Sequence, residues 1–337
     1  MTTIGDVANH LGISRSTVSY ALSGKRPVSR EMKQRIDDAI KELGYWPSAA
    51  GQSLATSRRN TIGLLAPLAA NTTPSVAMQF VSGVALAARA RGLDTLLVTG
   101  DEAFNGTERL AKSGVVDGLI ALDVEEKDPR VKALKKTPMP AVFIGRPSSA
   151  IPFDTIDQDW FSVGEVLLQH LVDLRHHEIL VLTAPEIAFD LGMTYALKFR
   201  AGYRYVAEKS GVNIIEVPVD NDFTNALNTI CDTLTAHPEI TAIAVQHESA
   251  AVALRAAAAS LRKTIPHDLS VVGVTLDVLD ATMGPPLSGV STRSVEMTQQ
   301  AIDMLIERIN QPGVEIPPRA ASLTGAFQDR GTSTFAP

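Results

Sequence analysis

Several absences narrow what this chain can be. It has one cysteine, Cys231, in 337 residues, so no intramolecular disulfide forms and a reduced, cytoplasmic setting is expected. The longest apolar runs, such as 240–245 and 179–182, fall far short of the ~20 residues a spanning helix needs, and no membrane partner is expected. The first six residues, Met1-Thr2-Thr3-Ile4-Gly5-Asp6, lack the basic start and apolar stretch of a secretory signal. Phosphate and nucleophile signatures are also missing. No Gly-x-Gly-x-x-Gly follows the first aliphatic run, and there is no Gly-x-x-x-x-Gly-Lys-Ser/Thr or Gly-x-Ser-x-Gly. His176-His177 has no helix-spaced partner ligands. The expectation is a protein that is not an enzyme and that uses no cofactor or metal.

What is present is a core-forming composition, 45% apolar and 20% charged. Its length suits two or three compact units. The formal charge is −6, but it is unevenly spread. Residues 1–60 hold nine Lys/Arg against five acids, and the remainder holds 22 against 32. A basic head on an acidic body suits contact with DNA at one end, although uneven surface charge also arises by chance.

The head reads as three short helices. Thr3 and Asp6 form an N-cap pair, and Ile4, Val7, Ala8 and Leu11 repeat at helical spacing. Gly12 stops that helix. Ser14 caps a second, with Val18, Ala21 and Leu22 as its expected buried side. Ser29 opens a third, whose inner face is Ile36, Ala39, Ile40 and Leu43, and Gly44 ends it. The short turn between the first two defines a helix-turn-helix. Its recognition residues would be Arg15, Ser16 and Thr17, with Ser19 and Tyr20 a turn further on. Arg15 suits bidentate pairing with guanine. The same pattern also suits a solvated helical hairpin of another kind.

The residues Thr3-Ile4-Gly5-Asp6-Val7-Ala8, Gly12-Ile13-Ser14, Thr17-Val18-Ser19, Ala21-Leu22-Ser23, Val28-Ser29, Leu43-Gly44-Tyr45, Pro47 and Leu54-Ala55 closely resemble the start of the lactose-repressor (LacI/GalR) family. The resemblance runs through the head without a gap. It implies a transcriptional regulator, most simply a repressor, that binds a pseudo-palindromic operator in double-stranded DNA as a homodimer, with a tetramer left open. It adds Thr3, Ser14, Ser29, Tyr45 and Arg58 to the DNA-contacting set. It also makes 48–55 a hinge helix that forms on DNA, with Leu54 as a wedge in the minor groove. Eight residues are too few for a stable free helix, Gly51 weakens it by a further ~1 kcal/mol, and an apolar wedge is a known way to kink a base step.

From Thr61 onward, aliphatic runs alternate with helical stretches. The runs are 61–66, 95–99, 118–122, 141–144, 179–183, 214–219, 242–245 and 270–274. The helices are expected at 76–91, 163–174, 200–210 and 250–261. This alternation predicts two doubly wound parallel-sheet subdomains. The fold class is thus α/β: an all-α helix-turn-helix head, residues 1–46, a linker, 47–59, and a body, 60–337. Ile62-Gly63-Leu64, Asp117-Gly118-Leu119-Ile120, Gly202-Tyr203, Ser270-Val271-Val272-Gly273 and Pro285-Pro286-Leu287 extend the resemblance to a periplasmic-binding-protein-like sensor. It implies an N-subdomain of about 60–159 and 288–312 and a C-subdomain of about 162–285 and 318–330. The chain would cross between them near Asp159, Pro285 and 312–318. The resemblance also places the dimer face on 71–90 and on the helix after 211–222.

An effector between the subdomains would, by the same resemblance, meet Leu68, Thr73, Arg146, Asp159, Trp160, Phe199, Phe223, Gln246 and Thr275. Several of these depart from the family's sugar-holding pattern. Leu68 stands for an Asp, Phe199 for an Arg, Gln246-His247 for Asn-Asp, Thr275 for an Asp and Trp160 for an Asn. A one-residue slip would put Lys198 or Arg200 in place of Phe199. The effector is either a sugar or a less polar, aromatic metabolite, the second favoured by the lost acid and cation, with Arg146 left to meet an acidic group. The alternative keeps the DNA-binding role under a protein co-regulator or no small effector. If Leu54 is a wedge, Leu54→Ala should reduce operator bending in permuted-fragment electrophoresis and cost a few kcal/mol of specific affinity. An unchanged bend would make the residue plain linker.

Overall fold

In the head, local capping decides where each helix begins and ends. The computed structural model describes residues 2–23, 26–45, 58–68, 74–275, 286–314 and 316–337. Contacts divide the chain into two units, Met1–Asn60 and Thr61–Pro337. The first unit holds α1 (Ile4–Leu11), α2 (Arg15–Ser23) and α3 (Arg30–Leu43). Thr3 and Asp6 form a reciprocal capping box on α1, with the Thr3 amide donating to Asp6 Oδ2 at 2.7 Å. Gly12 and Gly44 end α1 and α3 in the left-handed conformation, at φ 65° and 58°. Val7, Ala8, Val18, Ile36 and Ala39 form the small core. Leu22, expected inside, is 37% exposed. It lies near the end of α2, where a three-helix core this small has no room left to cover it.

The second unit contains two six-stranded sheets, ordered β11-β5-β4-β3-β1-β2 and β12-β10-β9-β8-β6-β7. The first comprises β1 (Thr61–Leu65), β2 (Asp94–Val98), β3 (Gly118–Ala121), β4 (Ala141–Ile144), β5 (Asp154–Gln158) and β11 (Ala320–Leu323). The second comprises β6 (Glu178–Thr183), β7 (Asn213–Pro218), β8 (Ala242–Val245), β9 (Ser270–Thr275), β10 (Ser288–Ser291) and β12 (Phe327–Gln328). Every pairing is parallel except β10 with β12. Helices cover both faces, as parallel strands require. Four strands were not expected from the sequence: β5, β10, β11 and β12, whose residues are too polar or too few to read as aliphatic runs.

The crossings differ from the expected ones in two places. The chain leaves the first sheet after β5, as expected near Asp159. Residues 288–291, expected in the N-subdomain, form β10 beside β9 in the second sheet. The return comes after them, because the Ser294–Asn310 helix packs Met297, Ala301, Ile302 and Leu305 onto the first sheet. The last crossing falls between β11, paired with β5, and β12, rather than at 312–318. The expected crossings came from the resemblance; the pairing of β10 with β9 and of β11 with β5 places them otherwise.

Two devices lock these layers. Asp154, at the start of β5, is 1% exposed. It accepts from Arg308 at 2.5 and 2.9 Å, from the Arg319 guanidinium at 2.8 Å and from the Arg319 amide at 2.8 Å. Burial opposes its ionisation, but these hydrogen bonds outweigh that and hold the carboxyl below the usual range. They tie β11 and its preceding helix to β5. In the second layer, the Trp160–Asp173 and Thr194–Ser210 helices touch at glycines. A Cβ on Gly164 would come within 2.3 Å of the Phe199 carbonyl oxygen, and one on Gly202 within 2.0 Å of that of Phe161.

The C-terminal tail is held by two histidines. His176 is 1% exposed. Its Nε2 donates to the Thr334 carbonyl at 3.0 Å, and its Nδ1 accepts from the Thr241 hydroxyl at 2.7 Å. His170 meets the Ser333 hydroxyl at 2.9 Å and stacks on Phe327, with ring centroids 4.2 Å apart. Burial lowers the pKa of both. The unfolded chain therefore binds more protons below about pH 6.5, and this stabilisation, complete above that pH, is lost as pH falls towards the lowered folded values. Urea midpoints should drop between pH 7.5 and 5.5, with a shallower slope for His176→Gln. An equal slope would remove His176 from the account.

Candidate functional site

The two units each present a candidate surface. In the head, Ser14 Oγ accepts from the Thr17 amide at 3.1 Å and links to the hydroxyls of Ser16 and Thr17 at 2.7 and 2.8 Å. The exposed start of α2 thus carries a chain of hydroxyls beside Arg15, which is exposed. The Arg15 guanidinium lies over Gly5, where a Cβ would be 2.6 Å from Nη2. Tyr20 is half-buried, with the Arg26 guanidinium carbon 5.2 Å from its ring centre. Ser19 is half-buried. Thr3 and Ser29 serve as caps, Tyr45 packs against the small core, and Arg58 is exposed. Arg15, Arg26, Arg30, Lys33, Arg35 and Lys41 are all exposed as well, so the basic charge of this unit faces outward. Leu54 lies outside the described residues.

In the second unit, a cavity of about 120 Å³ opens between the two sheets. Its walls come from the carboxyl ends of parallel strands. Leu68 follows β1, Leu122 to Val124 follow β3, Ile144 and Gly145 end β4, and Asp157 lies in β5. From the other sheet come Ala184 and Pro185 after β6, Gln246 and His247 after β8, Val274 in β9 and Thr292 after β10. Ligands bind at such strand ends in open α/β sheets.

Four polar residues set the chemistry of this cavity. Gln246 is 3% exposed. Its Oε1 accepts the Ala184 amide at 2.8 Å, which fixes the orientation of the side-chain amide and leaves Nε2 unpaired. Thr292 Oγ1 is also buried and unpaired. Asp157 accepts from Lys198 Nζ at 2.6 Å, and Lys198 also donates to the Arg146 carbonyl at 2.5 Å. Burial pushes the Asp157 carboxyl above its usual range against the pull of Lys198. His247 donates from Nε2 to the Thr183 carbonyl at 3.1 Å and pairs through Nδ1 with Ser249 at 2.7 Å. Burial lowers its pKa to about 4, so it is neutral near pH 7.

Of the residues expected here, Leu68, Trp160 and Gln246 lie on the cavity wall. Leu68 is held at φ 50°, and the Trp160 ring lies 5.9 Å from that of Tyr195. Others are placed differently. Phe199 is fully buried in the core and meets Tyr203 edge-on at 5.4 Å. Lys198, one position earlier, reaches the cleft. Helical phase explains the slip: Phe199 lies three residues before Gly202 and shares its inward face. Asp159 is the N-cap of the next helix, accepting from the Ser162 amide and hydroxyl at 3.1 and 2.9 Å. Arg146 is half-buried and contributes its carbonyl rather than standing among the described lining residues. Phe223 is 48% exposed at a helix start. Thr275 is buried behind Val274, its carbonyl accepting the Thr292 amide at 3.0 Å. Thr73 lies outside the described residues. Sequence reading missed Asp157, Thr194, Tyr195 and Thr292. The one signal was two carboxylates in the short run Asp154-Thr155-Ile156-Asp157.

Comparison with known proteins bears on both units. Residues 3–48 match the model of bacterial regulatory proteins of the lacI family, and residues 168–333 that of the periplasmic binding protein-like domain. The chain is similar to the ribose operon repressor of Escherichia coli (strain K12), at 30% identity over 340 residues, covering 99% of this chain and all of the relative. It is 28% identical over 323 residues to the HTH-type transcriptional regulator CelR of Thermobifida fusca, covering 91% of this chain and 92% of that one. In fold it is similar to the Lac repressor dimer bound to operator and an anti-inducer, with a TM-score of 0.82 at 23% identity, covering 99% of both chains. The head, the paired parallel sheets and this full-length likeness agree, and the chain belongs to the LacI family of bacterial regulatory proteins, DNA-binding transcriptional repressors.

Proposed function

We propose that this repressor acts as a homodimer on a pseudo-palindromic operator and that a small molecule in the cleft between its sheets controls that binding. The observation that carries the proposal is the cavity itself: strand ends of both sheets meet around it, and two buried polar atoms on its wall, in Gln246 and Thr292, lack partners. A protein co-regulator is the less favoured reading, because it offers no reason for a cavity walled by the strand ends of both sheets.

The DNA-facing half of the proposal rests on the exposed hydroxyls and Arg15 at the start of α2, with Leu54 in the linker 47–59 as the minor-groove wedge. The dimer rests on an exposed apolar face. Met78 and Leu86, on the Pro74–Ala90 helix, are 54% and 71% exposed. A face of this kind calls for a partner, and a second copy supplies the matching half-site reader. Tetramers remain a further step. A regulator of chromosomal DNA works in the cytoplasm.

Two measurements test this reading. Selection from genomic fragments should return a pseudo-palindrome of roughly 14–20 bp, one half-site per head. Its affinity should fall steeply with salt as the Lys/Arg of the head displace counterions. Recovery of fragments with no shared palindrome would sink the operator reading. Arg15→Ala should relax preference at one position of each half-site by about 1–3 kcal/mol. Uniform weakening across all sequences would make Arg15 a phosphate contact.

A further inference from the structure

We infer that the effector is an uncharged, largely apolar molecule with one or two oxygen acceptors, rather than a polyhydroxylated sugar or an acid; this rests on the cleft being the effector site. The walls supply the first reason. Val76, Phe80, Leu122, Ile144, Val274 and Met297 line the cavity, and Trp160 with Tyr195 forms an aromatic corner. The aliphatic and phenyl groups reward burial of apolar surface and satisfy no hydroxyl, and the aromatic corner offers polar atoms only at its edges, the Trp160 indole N–H and the Tyr195 hydroxyl.

Charge supplies the second reason. Among the described lining residues there is no Lys or Arg, and the ionisable acids are Asp123 and Asp157. The nearest ammonium, Lys198, is engaged by Asp157 at 2.6 Å and by the Arg146 carbonyl at 2.5 Å. An anionic ligand would therefore face carboxylates with no uncommitted cation in the wall. A cation would find Asp157 already neutralised, and Asp123 is half-exposed, where water screens it. His247, with its pKa lowered by burial, adds no positive charge near pH 7. The acidic ligand group expected for Arg146 finds no cationic counterpart among the described lining residues.

Hydrogen-bonding capacity supplies the third. Among the described lining residues, two side-chain polar atoms that are shut off from solvent have no partner, Gln246 Nε2 and Thr292 Oγ1. The first can only donate, because the Ala184 amide fixes the orientation of its side-chain amide, and the second donates or accepts. They match one or two ligand oxygens. A pyranose would bring several further hydroxyls into apolar surroundings, each costly when unpaired.

The chain's two tryptophans are Trp46 and Trp160, so full-length Trp46→Phe leaves the cavity residue as its own reporter. Emission and melting temperature should be titrated with 2-phenylethanol and cyclohexanone, with benzoate and phenethylamine as charged counterparts, and with D-ribose and cellobiose. The neutral ring compounds should shift Trp160 emission saturably and raise the melting temperature, and the charged and sugar probes should do so several-fold more weakly or not at all. Gln246→Leu and, as the milder change, Thr292→Val should each weaken that binding about 3- to 10-fold while the ligand-free protein still melts cooperatively. Binding unchanged in both variants would overturn the assignment of the two atoms. A saturable sugar response lost in Gln246→Leu would overturn the ligand class and leave the cleft standing as the effector site. Silence of Trp160 towards every probe would overturn the cleft reading and this inference with it.

Discussion

Parallel pairing is the constraint from which the rest of the body follows. A parallel strand cannot be joined to its neighbour by a tight turn, so each connection crosses a face of the sheet, usually as a helix. All strand carboxyl ends then lie along one edge. Two such sheets joined by three crossings bring those edges together, and the cavity is the space left between them. Leu122 to Val124, Gln246 and Thr292 reach it for this reason, although they lie in distant parts of the chain.

The two sheets are also tied across that cavity. Lys198, from the helix that follows β6, donates to Asp157 in β5 and to the carbonyl of Arg146 after β4. Beside it, the Thr194 amide donates to Val124 at 3.1 Å and the Glu126 amide to Gly192 at 2.8 Å. Burying a carboxylate is costly unless it is paired, and burial does push Asp157 upward. The ion pair thus compensates a cost that closing the cleft creates.

Much of this was legible in residue order. The head is built from local signals: caps at Thr3, Ser14 and Ser29, stops at Gly12 and Gly44, and apolar spacing of 3 and 4. Strands such as β6 and β8 announce themselves by unbroken Ile, Leu, Val and Ala. The strand β5 did not, because Asp154-Thr155-Ile156-Asp157-Gln158 looks like a polar loop. Its carboxylates are buried only because Arg308, Arg319 and Lys198 come to meet them. β10 and β11 carry no such charge; the resemblance placed them on the wrong sides of the crossings, and their pairing with β9 and β5 corrects that.

Residue order alone specifies the elements whose causes are local, namely the capped helices of the head, the aliphatic strands and the α/β alternation. It also carried the family, through short motifs in the same order. Tertiary structure decided which residues face the cleft. Adjacent helical residues differ by about 100° in direction, so Lys198 and Phe199 could exchange roles without any change in pattern. The close approach at Gly202, where Phe161 leaves no room for a Cβ, fixes the phase, turning Phe199 into the core and Lys198 towards Asp157. That choice depends on a contact between helices that begin more than thirty residues apart, and no local pattern encodes it.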